Sequence, residues 1–430
     1  MKNIKKTLVS KIVCIGDSLK PVLIKILPKK ALKKVKKKII NSAFDKKSYK
    51  RIPYKKNAYP FGVNLFGYIK AQMGLGEGAR LIAKALSKTD IPFCVIDTKV
   101  GNPFNHNDNT FDSKIVNKAK FSINIFHINP EQFPSLEISL PQNTWDKRYN
   151  IGIWLWELSE FPKEWENAFK QVDEIWTPSH FCYNTFKKVS PVPVTIIPYG
   201  IEAVFDANIN REYFNLPKNV FLFLIMFDVN STMQRKNPLD AIRAFKNAFS
   251  KDNKDVGIVI KINNANTHAV NTIKSELKGF KNVFIIDKTL SKIEVNSLIK
   301  VCDTFVSLHR SEGFGLVIAE AMYLKTPVIA TYYSANTDFM STSTACCIDY
   351  KLIKIDKDYS MYKSNQVWAQ PDVIQASVFM KILFSDENYR NQLTKNAYKY
   401  ITTNFSINES ADKITSRIRE ITGKKIPKLD

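Results

Sequence analysis

From about residue 60 onward, short apolar runs alternate with stretches of helical periodicity. Val220 to Phe227 is apolar at every position, which predicts a strand buried on both faces. Val256 to Ile262, Asn282 to Ile286, Thr304 to Leu308 and Pro327 to Ala330 predict further strands of that half. In the preceding half, Pro60 to Tyr68, Ile91 to Ile96 and Phe121 to Pro130 predict strands as well. Helical patterns fill the gaps, at Met73 to Leu86, Leu239 to Phe249 and Leu316 to Met322. Strand–helix alternation of this kind predicts α/β architecture with parallel, doubly wound sheets. A chain of 430 residues with 44% hydrophobic content suits two such domains, joined by a crossing near residues 202–218.

The first 57 residues break the pattern. They carry eighteen lysines and one arginine against two aspartates, a net +17 of the chain's +24. Leu8, Ile12, Ile15 and Leu19, then Leu23, Ile26 and Leu27, then Leu32, Val35 and Ile39 trace a helical stripe among the lysines, broken by Pro21 and Pro28. No apolar run there reaches the roughly 18 residues of a membrane span, and lysines interrupt any signal-peptide core. The segment reads as an interfacial helix on an anionic membrane surface. A solvated or nucleic-acid-binding tail is the alternative; the aliphatic stripe has no use on a phosphate backbone, so no nucleic-acid partner is expected. Six scattered cysteines without C-x-x-C or His pairing point to reduced thiols and a cytoplasmic setting.

The densest chemistry lies at Ser307 to Met322. A strand ends in the turn Glu312-Gly313-Phe314-Gly315, and a helix opens at Leu316. Gly313 and Gly315 let backbone approach a ligand, and the helix start offers N–H groups to an anion. Glu312 and Glu320 stand eight positions apart. Acids beside an anion hole suit sugar hydroxyls, so the stretch reads as a nucleotide-sugar pocket; a purely structural turn with surface glutamates is the alternative. Arg235 and Lys236, ahead of the helix at Pro238, put positive charge where a diphosphate could sit, or form a solvated basic turn. In the first half, Gly74 and Gly76 open an amphipathic helix. His127, with Asn129 competing for the position, ends a strand where open α/β sheets bind ligands. The aromatic run Ile151 to Leu158 fills a core or stacks on sugar, and Glu157 within it is either structural or an acceptor contact.

Glu312-Gly313-Phe314-Gly315-Leu316 through Glu320-Ala321-Met322, followed by Pro327 to Thr331, resembles the E-x7-E signature of glycosyltransferase family 4. The resemblance extends over roughly residues 60–415, with the sharper motifs in the second half. It implies the GT-B fold, two Rossmann-like domains facing a cleft, with a C-terminal helix crossing back. The divisions expected are a basic segment at 1–57, an acceptor domain at 58–208, a nucleotide-sugar domain at 209–385 and helices at 386–430 packing back on the first domain. It further implies a retaining, metal-independent hexosyl transfer from a nucleoside diphosphate sugar, with no cofactor and no metal ligand.

On this resemblance Glu320 binds the ribose, Glu312 lies near the transferred sugar, and His127 contacts it. Lys236, Arg235 and the N–H groups of Phe314, Gly315 and Leu316 stabilise the leaving diphosphate, with Gly74 and Gly76 beside the phosphates. Lys236 aligns with the family's lysine, while Asn230 and Ser231 stand where its companion arginine is usual, leaving Arg235 as the substitute. Asp356-Lys357-Asp358 has the D-x-D form of the other large glycosyltransferase fold, out of context, and reads as surface charge. The expected acceptor is a lipid-linked saccharide at the inner membrane face, in polysaccharide or lipopolysaccharide synthesis. The rival readings are a catalytically silent nucleotide-sugar-binding subunit and, more weakly, an epimerase or phosphorylase of the same fold.

Overall fold

The computed structural model describes residues 51–99 and 107–423. The first domain is built in chain order from β1 (Val63–Gly67), α1 (Gly74–Leu86), β2 (Phe93–Asp97), β3 (Ile123–His127), α2 (Phe133–Ser139), β4 (Tyr149–Ile153), β5 (Glu174–Thr177), α3 (His180–Lys187) and β6 (Val194–Ile196). All its strands pair in parallel, in the spatial order β2-β1-β3-β4-β5-β6. β1 and β3 are buried throughout, and their buried Asn64 and Asn124 side chains hydrogen-bond to each other.

The second domain follows with β7 (Phe221–Asp228), α4 (Met233–Lys236), α5 (Pro238–Ala248), β8 (Val256–Asn263), α6 (Thr267–Glu276), β9 (Val283–Ile286), α7 (Lys292–Val301), β10 (Thr304–Ser307), α8 (Leu316–Tyr323), β11 (Val328–Thr331) and β12 (Cys346–Ile348). Its parallel sheet runs β12-β11-β10-β7-β8-β9. Strand order therefore reverses between β1 and β3 in one sheet and between β7 and β10 in the other. Open α/β sheets bind ligands outside the carboxyl ends of the strands at such reversals. β3 ends at His127, and the connections after β1, β7 and β10 carry the Gly74 helix, Lys236 and Glu312.

Beyond β12 the chain makes an antiparallel pair, β13 (Tyr350–Lys354) with β14 (Val367–Pro371), which the periodicity does not announce. Their connecting loop reaches the first domain: Ile355, Tyr362 and Trp368 are buried in one cluster with Trp154, Trp156 and Phe161. The Tyr362 and Trp156 rings stack with centroids 5.6 Å apart. Asp356 and Asp358 sit on this loop, Asp356 accepting from Tyr359 and Asp358 from Lys363 and Ser364.

Three helices close the chain, α9 (Val373–Ser385), α10 (Glu387–Asn404) and α11 (Ile407–Thr422). α9 and α10 stay on the second domain, against α5 and α8, whereas α11 crosses back onto α1. Arg417 of α11 fixes the crossing with a two-pronged bond to the buried Glu174, at 2.8 and 2.9 Å.

The basic segment expected at a membrane surface falls outside the described residues as far as position 50. Residues 51–57 lie against the first domain, where Arg51 forks onto Asp173 at 2.6 and 2.9 Å and Lys147 N donates to Ile52 O at 3.0 Å. Among the described residues no helix is long and apolar enough to cross a membrane.

Candidate active site

The turn between β10 and α8 sits where the two domains meet. Gly315 precedes α8 with φ +88°, a left-handed conformation that favours glycine. The first bonds of α8 run from Ile318 and Ala319 to Gly315 O, which leaves the N–H groups of Leu316 and Val317 at the open helix end. Phe314 anchors the turn from below, its buried ring edge-on to Tyr199 at 5.0 Å and tilted against Phe339 at 5.4 Å. Gly313 faces the first domain, its carbonyl accepting from Ser179 Oγ at 2.9 Å and from the Cys182 thiol.

Glu312 meets both expected cations. Lys236 Nζ lies 2.5 Å from its Oε1 and Arg235 Nη1 3.3 Å from its Oε2. Burial opposes ionisation of Glu312, but Lys236 and then Arg235 outweigh it and hold the carboxyl at about 2. The two cations differ in access. Lys236 is a quarter exposed, whereas Arg235 is 3% exposed and enclosed. Its guanidinium donates to Ser311 O at 2.7 Å, lies 3.7 Å from Glu157 of the first domain and rests 5.7 Å from the Tyr362 ring centre. Arg235 therefore braces Glu312 and Glu157 from behind, and Lys236 is the cation that faces the cleft. Ser311 Oγ also bonds to Glu157 O across the domains. Backbone strain gathers here: Thr232 ahead of α4 and Ser334, whose hydroxyl accepts from Glu312 N at 2.8 Å, have φ of +66° and +72°.

At the start of α8 a cavity of about 190 Å³ opens between the domains, lined on one side by Gly74, Glu77 and Arg80 and on the other by Asn263, Lys292, Leu316 and Glu320. Glu320 is 1% exposed. Its Oε1 takes a 2.5 Å bond from Lys292 Nζ, and its Oε2 is buried without a partner. Burial pushes the Glu320 carboxyl up against the opposing pull of Lys292. An unpaired buried acceptor is costly unless a ligand supplies the donor. Lys292, the first residue of α7, is a participant that the sequence reading passed over; the Ser291–Glu294 capping box that starts its helix was the available signal.

On the first-domain wall, Gly74 and Gly76 lie in the first turn of α1, which begins at Gly74 as the helical pattern predicts. Gly74 lines the cavity, while Gly76 packs against the Ala71 carbonyl. Gly78 permits close approach: a Cβ there would meet Tyr199 Oη at 2.7 Å and the His127 ring at 2.8 Å. His127 is fully buried, with Nε2 2.7 Å from Tyr199 Oη and Nδ1 without a partner. Burial lowers its pKa to about 4, so the ring is neutral at pH 7. Asn129 is engaged elsewhere, its Oδ1 accepting from Leu155 N at 2.9 Å. The structure thus joins Glu312, Lys236 and Arg235 in one cluster and Glu320, Leu316 and Gly74 around one cavity. His127 reaches the turn only through Tyr199 and Phe314.

The family described as Glycosyl transferases group 1 matches residues 209–343, which span β7 to β11 and so both glutamates. No curated protein matches the sequence. Among solved structures, a glycosyltransferase from Rickettsia africae superposes with TM-score 0.62 at 13% identity, over 88% of this chain and 100% of that one. Anabaena Alr3699/HepE, solved in complex with UDP and glucose, gives 0.60 at 12% identity over 84% and 100%. Sucrose-phosphate synthase from Thermosynechococcus elongatus gives 0.61 at 12% identity over 87% and 100%. With the E-x7-E turn, both strand-order reversals and the returning C-terminal helix in place, the chain carries the GT-B fold, and its residues 209–343 are similar to the group 1 glycosyltransferases.

Proposed function

We propose that the chain transfers a hexose-type sugar from a nucleoside diphosphate sugar to a saccharide acceptor, with retention at the anomeric carbon and without a metal ion. The observation that carries this reading is the unpartnered, buried Oε2 of Glu320, set in a cavity beside the open N-terminus of α8, the helix that follows the Glu312–Lys236 pair. A carboxylate acceptor for a ribose hydroxyl and a cationic patch for a diphosphate are the two things a nucleotide sugar requires. The UDP and glucose held by the Anabaena neighbour support the same donor class.

In this reading Lys236 and the Leu316 and Val317 N–H groups receive the charge that builds on the leaving phosphate oxygen. Arg235 positions Glu312, and the ionised Glu312 faces the positive charge developing at the anomeric carbon. His127, neutral and fully buried, supports the turn through Tyr199 and Phe314. The acceptor hydroxyl attacks from the face the phosphate leaves: its oxygen bonds to the anomeric carbon, the carbon–phosphate oxygen bond breaks, and the hydroxyl proton passes to the departing phosphate. A lipid-linked acceptor at the inner membrane face, in surface polysaccharide synthesis, is supported by the +17 of residues 1–57.

Hydrolysis and transfer measured across UDP- and GDP-sugars in EDTA test the proposal, with Glu320→Ala alongside. One donor turned over by the wild type and lost in the variant is the expected result. Binding without turnover, even with lipid-linked acceptors supplied, contradicts it and favours a silent nucleotide-sugar-binding subunit.

A further inference from the structure

The Lys292–Glu320 pair joins two elements that need not touch. α7 follows β9 and α8 follows β10, yet Lys292 Nζ stands 2.5 Å from Glu320 Oε1 and both side chains line the same cavity. The contact is asymmetric: one carboxylate oxygen is held by the ammonium, and the other is buried and unpaired. Lys292 is itself a quarter exposed, so its remaining protons face solvent or a ligand. A carboxylate as enclosed as Glu320 favours its neutral form, and a neutral carboxyl is a far weaker acceptor for a hydroxyl.

Resting on the nucleotide-sugar reading above, we propose that Lys292 is a positioning residue for the donor ribose: it fixes Glu320 Oε1 and keeps the carboxylate charged, so that Oε2 receives a ribose hydroxyl. Other charged groups face Glu320 from α1. Glu77, buried beside it, opposes its ionisation, and Lys84 assists. Arg80 lines the same cavity but is bound to Glu77 at 2.7 Å, so it offsets the nearer acid instead of serving Glu320. Lys292 is the cation in direct contact. Burial already raises the Glu320 pKa, and losing Lys292 raises it further. The sign follows: without Lys292 the carboxyl is protonated over more of the neutral range, and nucleotide binding recovers as pH rises.

The test measures Kd for UDP and GDP by calorimetry between pH 6 and 9, using the full chain with Lys292→Met, Lys292→Arg, Glu320→Gln and the Lys292→Met/Glu320→Gln double variant. Lys292→Met is expected to weaken binding roughly tenfold at pH 7, the scale of one lost charge-assisted hydrogen bond, with partial recovery at pH 9. Lys292→Arg retains most of the affinity. The Lys292→Met penalty should vanish in the Glu320→Gln background, and with a 2′,3′-dideoxy nucleotide, because the lysine acts through that carboxylate on that hydroxyl. An unchanged Kd in Lys292→Met, or a loss that is independent of pH and additive with Glu320→Gln, overturns the proposal. A wild type that binds a nucleotide but transfers no sugar defeats the transferase reading while leaving the Lys292 effect readable in Kd. One that binds neither nucleotide defeats both.

Discussion

The two walls of the cleft share one plan, a six-stranded parallel sheet with its reversal point aimed inward, but they handle charge differently. On the second-domain wall the acids meet cations at hydrogen-bond distance, Glu312 with Lys236 and Glu320 with Lys292. On the first-domain wall the acid and cation that line the cavity, Glu77 and Arg80, are paired within one helix, and His127 is an uncharged ring sealed beneath Gly78 and bonded to Tyr199. The acid that reaches across, Glu157, is answered by Arg235 from the other domain. Charge assembled before the ligand arrives costs no reorganisation during reaction, so the second wall is equipped to stabilise a leaving group. The first is equipped to shape and exclude.

The largest effect expected from this contrast is at Lys236. Lys236→Met should lower kcat/KM by about a thousandfold, the upper end for loss of one preorganised donor, whereas His127→Asn should cost roughly tenfold in the same assay. Equal losses at the two positions would break the contrast between the walls.

The next effect concerns how the walls are held together. Tyr362→Ala empties a buried stacking position against Trp156 and should destabilise the protein by about 3 kcal/mol in urea denaturation. A loss under about 1 kcal/mol would mean that the β13–β14 loop does not hold the domains.

The smallest effect is a pH dependence. His127 has a folded pKa of about 4 against an ordinary 6.5, so the unfolded chain takes up the proton first on acidification. Its contribution is fully present above pH 6.5 and is lost as pH falls through about 4; His127→Asn should flatten that part of the stability curve. An unchanged curve would show that the ring is not held neutral.

How much of this was legible in the sequence follows the same division. The second domain could be read closely because its site residues lie within two short stretches, Asp228 to Pro238 and Ser307 to Met322, where local pattern and site coincide. Even there, spacing gave Arg235 and Lys236 a common role, and only the three-dimensional enclosure by Ser311, Glu157 and Tyr362 separates them. Lys292 was passed over because its partner is 28 residues away and the pairing depends on how α7 and α8 pack. The β13–β14 pair escaped notice because Tyr350 to Lys354 is largely exposed and lacks an apolar face. His127 was placed at the right strand end, but which way the ring turned depended on Gly78 and Tyr199, distant in sequence.

The central claim, that a nucleotide sugar occupies the cavity between α1 and α8, is tested most directly by amide hydrogen exchange of the full chain with and without UDP-glucose or GDP-mannose. The account predicts protection at residues 311–323 and 72–80 with one of the two donors, lost in Glu320→Ala. No protection with either donor, or protection confined to segments away from this cleft, would contradict it.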